Sequence, residues 1–214
     1  MHTMSSNIAF CHFLPLLRYN LHNFTLKRFC MRISHLLIPL FTVTLLFQGC
    51  NKKESSEDSL VSTAKFSLVD TKGKSYTVEK RGGNFTLDAG EDKVVLFDIF
   101  ATWCPPCQAE VMHLGNLQKK YGDKLIVMGI TIEEDQSNES LDKFREKYRG
   151  GDYRIANKAD NQPLARAIAS TIGVGQQFPI PLMVLYKNGE YVTHYAGATQ
   201  EEIIDRDIAQ ALGK

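Results

Sequence analysis

The stretch FDIFATWCPPCQAE, Phe97–Glu110, places Cys104 and Cys107 at the spacing C-x-x-C with two prolines between them. It overlaps the apolar run KVVLFDIF, Lys93–Phe100, whose length and continuity predict a strand that is buried on both faces. The following segment, Cys104–Tyr121, has apolar residues at helical spacing and ends before a glycine. The pattern therefore predicts a strand, a short turn and a helix that begins at the first cysteine.

A cysteine pair of this spacing can bind a metal, form a structural disulfide or transfer electrons. A zinc site needs two further ligands, and beyond residue 50 the chain contains only the histidines His113 and His194. We expect His113 on a polar helix surface and His194 on a solvent-facing strand position, so no metal site is predicted. A single C-x-x-C pair is also not typical of a disulfide-stapled scaffold.

The position of the pair at a helix start suits redox chemistry. Unpaired N–H groups and the helix dipole favour a thiolate at Cys104. An exposed helix dipole stabilises the thiolate by only about 0.3–1 kcal/mol, which is too little to lower the pKa of the thiol to neutral pH. Hydrogen bonds to the sulfur must therefore supply the rest. Cys107 lies one helical turn later, on the same side, and points inward. We therefore assign attack on a disulfide to Cys104 and resolution of the mixed disulfide to Cys107.

This motif resembles the active site of thioredoxin-fold proteins of the TlpA/ResA/CcmG type, and the resemblance extends over residues 64–214. It implies a thiol–disulfide oxidoreductase whose cysteine pair carries two electrons without a further cofactor. The implied fold is α/β and thioredoxin-like, with a central mixed β-sheet flanked by helices. The first residues of the domain would form an N-terminal β-hairpin extension.

Two acids match functional positions of the family. Asp98, six residues before Cys104, aligns with the buried acid of thioredoxin, which accepts the proton of the resolving cysteine. Burial in an apolar strand would raise the pKa of Asp98 and suit a general base, and an outward-facing Asp98 is the alternative. Glu110 follows Cys107 by three residues, where the resemblance implies an acid that tunes the cysteines. For Glu110 the alternative is a solvated glutamate on the helix surface. Relatives that have Asn at the first of these two positions, that of Asp98, lack the pair of acids.

Three further residues match the substrate side of the family's site. Trp103 precedes the first cysteine and would flank its sulfur, although packing alone would also explain a tryptophan there. The segment IPLMVLYKNGE resembles the one that begins with a cis-proline in thioredoxin, which assigns this role to Pro181 after Ile180, with Pro179 as the competing candidate. In the family, this peptide pairs with the substrate backbone. The preceding GQQFPI is longer than the usual connection and is a candidate for partner selection.

The remaining patterns complete the predicted order β-hairpin, β, α, β, α, α, β, β, α. The sequence predicts a hairpin around Lys72–Gly73 and a second buried strand, KLIVMGITI. Two helices are predicted over Glu139–Tyr148 and Pro163–Ile172. A hairpin around Lys187–Gly189 and an amphipathic closing helix follow. Alternating strands and helices followed by a hairpin and a helix indicate a mixed sheet with helices on both faces.

The N-terminal 50 residues contain four basic residues and no acidic one, which is typical of targeting sequence. MRISHLLIPLFTVTLLFQGC, Met31–Cys50, has a basic start, an apolar run and a small residue before Cys50. This resembles a bacterial lipoprotein signal and implies lipidation of Cys50, with an ordinary signal or an uncleaved anchor as the alternatives. We interpret residues 1–30 as an over-extended reading frame, 31–50 as the signal, 51–63 as a flexible tether and 64–214 as the domain.

Together these features predict a monomeric, membrane-tethered reductase of protein disulfides in the periplasm or cell envelope. The resemblance implies a disulfide-bearing protein as substrate, with the haem-binding cysteines of apocytochrome c as the leading example, and a membrane electron donor of the DsbD/CcdA type. The alternatives are a disulfide oxidase or isomerase, and a non-catalytic metallochaperone that binds Cu(I) or zinc through the two thiolates. The formal net charge of +1 gives no electrostatic basis for binding nucleic acid.

Overall fold

Two β-sheets form the framework of the computed structural model, which describes residues 62–157 and 160–214. The predicted signal segment, Cys50 and nearly all of the predicted tether lie outside the described residues. The first sheet contains β1 (Thr63–Val69), β2 (Ser75–Arg81) and β3 (Asn84–Leu87). The second contains β4 (Val94–Phe100), β5 (Leu125–Thr131), β6 (Arg154–Ala156), β7 (Leu182–Lys187) and β8 (Glu190–Ala196).

The three-stranded sheet contains the predicted N-terminal hairpin. β1 and β2 are antiparallel, and their alternation buries Leu68 opposite Tyr76. The hairpin prediction was incomplete, because β3 pairs antiparallel with β2 and buries Phe85 and Leu87. A strand of four residues directly after a Gly-Gly turn is too short to give a distinct alternating pattern.

The five-stranded sheet has the order β6-β5-β4-β7-β8 and is mixed, as predicted. β4 is parallel to β5, and β5 is parallel to β6, whereas β7 is antiparallel to both β4 and β8. Every residue of β4 and β5 is buried, which explains their unbroken apolar sequences. The three-residue strand β6 was not predicted.

Four helices flank this sheet: α1 (Pro105–Tyr121), α2 (Asn138–Lys147), α3 (Asn161–Thr171) and α4 (Glu201–Ala211). One core joins α1, α2 and α4 to one face through residues such as Leu114, Phe144 and Ile208. The other core joins α3 and the three-stranded sheet to the opposite face through residues such as Ile168 and Leu68. No helix in the described part of the chain is long and apolar enough to cross a membrane.

The topology brings two distant segments together at one edge of the sheet. β4 ends at Phe100 and the chain turns into α1, while β7 begins beside it, with Ile99 opposite Leu182. Because β4 and β7 are antiparallel, the end of one strand lies next to the start of the other. The segment after β4 therefore meets the segment before β7.

Candidate active site

The cysteine pair lies at the start of α1, where the sequence predicts it. Cys104 is the N-cap residue, and a disulfide joins it to Cys107 with the Cα atoms 5.3 Å apart. The backbone N–H of Cys107 donates a hydrogen bond to Sγ of Cys104 at 3.4 Å. The two prolines occupy the first helical positions, where a missing N–H leaves no intrahelical bond unmade. One backbone hydrogen bond of the kind that the sequence argument required thus reaches the Cys104 sulfur in the disulfide form.

A cis peptide bond lies on the substrate side of the pair. The Ile180–Pro181 bond is cis, and the carbonyl oxygen of Ile180 lies 3.7 Å from Sγ of Cys104. The competing assignment to Pro179 is wrong. Trp103 is 66% exposed, so core packing does not account for it. The exposed Trp103 and the half-buried Ile180 thus flank a sulfur-bearing residue that is itself only 4% exposed.

Asp98 is buried on the face of β4 that α1 covers, together with Leu96 and Phe100. The outward-facing alternative is therefore wrong. The hydroxyl of Tyr153 donates a hydrogen bond to Oδ2 of Asp98 at 2.6 Å, while Oδ1 has no hydrogen-bond partner among residues 62–157 and 160–214. The pKa of Asp98 is raised to about 7, mainly by burial. The charge of Glu110 also raises this pKa, whereas the hydrogen bond from Tyr153 lowers it.

Glu110 is also buried, with an exposed fraction of 1%, so the solvated alternative is wrong. The backbone N–H of Thr199 donates a hydrogen bond to its Oε1, and Nδ1 of His113 lies 3.5 Å from its Oε2. Burial raises the pKa of Glu110, whereas the Thr199 N–H and His113 act in the opposite direction. His113 lies beside this acid on α1 and is half-buried.

Tyr153 is the site residue that sequence reasoning missed. It lies just before β6 and is fully buried, and Gly129 of β5 pairs with Asp98 in the sheet. A Cβ atom at residue 129 would collide with the Tyr153 hydroxyl, so the glycine leaves room for the tyrosine against this face of the sheet. A glycine inside the continuous apolar run LIVMGIT was the available signal of such a close approach.

The described residues contain no group of three His, Cys, Asp or Glu side chains arranged to hold a metal ion. His194 is half-buried and its Nδ1 lies 2.7 Å from the hydroxyl of Tyr191 on the same strand. The site therefore combines a cysteine pair at a helix start, two buried acids on the adjoining strand and helix, and an exposed tryptophan beside the first cysteine.

Comparisons with known proteins agree with this geometry. The sequence model of the redoxin family matches residues 56–211. The thiol-disulfide oxidoreductase ResA of Bacillus thuringiensis subsp. konkukian is 25% identical over 181 residues, which cover 84% of this chain and 94% of ResA. The thioredoxin-like protein YneN of Bacillus subtilis is 28% identical over 124 residues, 58% of this chain and 68% of YneN.

A solved structure supports the fold. The thiol:disulfide interchange protein of Chlorobium tepidum superimposes with a TM-score of 0.54 at 23% identity, covering 73% of this chain and 99% of that protein. At this identity the similarity shows the thioredoxin-like architecture alone. With the match to the redoxin model over most of its length, the chain belongs to the redoxin family and is a thiol–disulfide oxidoreductase of the TlpA/ResA/CcmG type.

Proposed function

We propose that the protein is a membrane-tethered reductase of protein disulfides in the cell envelope. The observation that carries this proposal is the position of Cys104, which caps α1 and whose sulfur lies 3.7 Å from the carbonyl oxygen of the half-buried Ile180, on the helix that also carries the buried acid Glu110. A substrate chain can pair with the peptide at Ile180 while its disulfide meets the sulfur. The haem-site cysteines of an apocytochrome c, in an extended segment, are a substrate of this kind.

The reaction passes through a mixed disulfide. In the reduced protein, the Cys104 thiolate attacks one sulfur of the substrate disulfide, forms a new S–S bond and releases the other substrate sulfur as a thiolate that takes up a proton. Asp98 accepts the proton of the Cys107 thiol. The Cys107 thiolate then attacks Sγ of Cys104, the mixed disulfide breaks, and the second substrate sulfur leaves as a thiolate that takes up a proton. The substrate gains two electrons, and the Cys104–Cys107 disulfide forms.

A further dithiol must reduce this disulfide before the next cycle. We assign that step to a membrane electron donor of the DsbD/CcdA type, and we assign membrane attachment to a lipid on Cys50. The similarity to ResA, a thiol-disulfide oxidoreductase, supports a role in disulfide exchange. A Cys50→Ala variant that stays at the membrane, and wild-type protein that takes up no labelled palmitate, would contradict the lipid anchor.

The decisive experiment is the reduction potential of the Cys104–Cys107 couple in the full chain, equilibrated with dithiothreitol and glutathione buffers. A potential near or below about −270 mV, the thioredoxin range, supports a reductase. A potential near about −120 mV, the range of a strong oxidant, would make the protein a disulfide oxidase instead. Tight Cu(I) binding by the reduced protein, without any disulfide exchange, would exclude the reductase and the oxidase and indicate a metallochaperone.

A further inference from the structure

The carboxylate of Glu133 reaches from the loop after β5 to the turn that precedes the first cysteine. The backbone N–H of Thr102 donates a hydrogen bond to Oε2 of Glu133 at 2.6 Å, and the Thr102 hydroxyl donates one to Oε1 at 3.0 Å. The two residues are 31 positions apart in the chain. They meet because the parallel strands β4 and β5 end side by side.

Glu133 is itself held in place by its own loop. Its backbone N–H donates a hydrogen bond to the hydroxyl of Thr131 at 3.2 Å, and the side-chain amide of Gln136 donates one to its Oε1 at 3.0 Å. The next residue toward β5, Ile132, donates its N–H to the carbonyl of Phe100 at 3.0 Å. The loop that carries the carboxylate is therefore held by hydrogen bonds that do not involve Thr102.

Thr102 has no free hydrogen-bonding group left once Glu133 is bound. The side-chain amide of Gln108 on α1 donates a hydrogen bond to the Thr102 carbonyl at 2.7 Å. The N–H and the hydroxyl of Thr102 both donate to the carboxylate of Glu133. Hydrogen bonds to a charged acceptor are roughly twice as strong as neutral ones. Trp103 follows directly and projects into solvent with 66% of its surface exposed. Its backbone position is thus set by bonds to its neighbour.

We propose that Glu133 is a positioning residue, which holds the turn of residues 101–103 so that Trp103 presents a fixed surface to an incoming protein chain. The proposal rests on the proposed reduction of protein disulfides. A preformed surface lowers the entropic cost of ordering side chains when a protein binds. Small thiols reach the sulfur without this surface, so their reaction depends much less on Glu133.

The test is a Glu133→Gln variant of the full chain, with Asp135→Asn as the matched control on an exposed residue of the same loop. Glutamine keeps the volume but places an N–H₂ group against a donor of Thr102. We expect the kcat/KM for reduction of insulin to fall about fivefold to tenfold, mainly through KM. The rate at which dithiothreitol reduces the protein's own disulfide should stay within about twofold of wild type.

Trp103 is the only tryptophan in the chain, so its fluorescence anisotropy reports directly on the turn. We expect lower anisotropy in Glu133→Gln and in a second variant, Thr102→Val, with little further change in the double variant. Equal anisotropy and equal insulin kinetics in Glu133→Gln and Asp135→Asn would overturn the proposal. An equal loss with insulin and dithiothreitol would also overturn it, because it would indicate general damage.

Failure of the proposed function would look different. A wild-type protein that does not reduce insulin would reject the reductase assignment. In that case, the anisotropy of Trp103 still decides whether Glu133 holds the turn, and only the link to substrate would be lost.

Discussion

The hydroxyl of Tyr153 donates a hydrogen bond of 2.6 Å to Oδ2 of Asp98, and both side chains are buried. Burial favours the protonated acid, whereas the hydrogen bond favours the carboxylate. The balance leaves the pKa of Asp98 at about 7. A base whose pKa is close to the working pH can both take a proton from a thiol and return it.

Replacing Asp98 with asparagine should stabilise the oxidised protein at alkaline pH. The folded pKa of about 7 lies above the ordinary value of 3.8, so between these pH values only the folded state keeps the proton. Stability from this group is therefore lost as the pH rises from about 4 to about 7. We expect Asp98→Asn to match wild type near pH 4 and to exceed it by about 2–4 kcal/mol near pH 8 in urea unfolding. Asp152→Asn, on an exposed residue, is the control, and an equal gain at both pH values would contradict the explanation.

Replacing Tyr153 with phenylalanine should move the pH dependence of catalysis upward. The hydrogen bond from Tyr153 lowers the pKa of Asp98, so its loss raises that pKa further. The carboxylate that accepts the Cys107 proton then forms at higher pH. We expect the midpoint of the single-turnover rate with a disulfide peptide to rise by about 1 pH unit. Tyr148→Phe should leave the midpoint unchanged; a shift of equal size there would argue for a purely structural effect.

Replacing Glu110 with glutamine should move the same midpoint in the opposite direction. The charge of Glu110 raises the pKa of Asp98, and glutamine removes the charge while keeping an acceptor for the N–H of Thr199. The carboxylate of Asp98 therefore forms at lower pH. The measurement is the single-turnover pH profile used for the Tyr153 variant, with the exposed Glu146→Gln as control. An upward shift would show that Glu110 acts on the thiols by another route.

Replacing Gly129 with alanine should destabilise the fold and displace Tyr153, the hydrogen-bond donor of Asp98. The new methyl group would meet the Tyr153 hydroxyl and ring, which are held in a packed core. Overpacking of this kind costs about 1–3 kcal/mol, measured as a lower urea midpoint. The loss should be smaller in a Tyr153→Phe background, which lacks the hydroxyl. Equal losses in both backgrounds would show that the ring position, rather than the hydroxyl, limits the space.

The division of labour between the cysteines is testable by trapping. In a background with Cys11, Cys30 and Cys50 replaced by serine, Cys107→Ser should accumulate a mixed disulfide between Cys104 and a disulfide-bearing protein, because nothing resolves it. Non-reducing electrophoresis and mass spectrometry would detect this adduct. Cys104→Ser should give at least tenfold less adduct, since Cys104 occupies the N-cap of α1, where the helix start favours the thiolate, whereas Cys107 lies inside the first turn. A higher yield from Cys104→Ser would reverse the roles.

Local patterns carried most of what the sequence predicted correctly. Asp98 interrupts an apolar strand, and burial follows from the strand around it. The cis bond at Pro181 was placed by the resemblance of IPLMVLYKNGE to the cis-proline segment of thioredoxin, and the apolar run after Pro181 distinguished it from Pro179. The start of α1 at the cysteines also follows from residues within a few positions of them.

The features that were missed depend on contacts between distant parts of the chain or on very short elements. Tyr153 meets Asp98 across 55 residues, and Thr199 meets Glu110 across 89. No local period marks either contact, because tertiary packing alone creates it. β6 has three residues and β3 has four, too few for an alternating pattern to distinguish them from loop.

The space shared by Gly129 and the Tyr153 ring also has an evolutionary consequence. While Tyr153 is present, a side chain larger than glycine at residue 129 meets its hydroxyl and the ring carbon that bears it, so residue 129 cannot change without cost until the tyrosine has changed. Among descendants of this lineage, the two positions should covary. A lineage that acquires alanine at 129 should have lost the tyrosine first, and with it this means of setting the proton affinity of the buried acid.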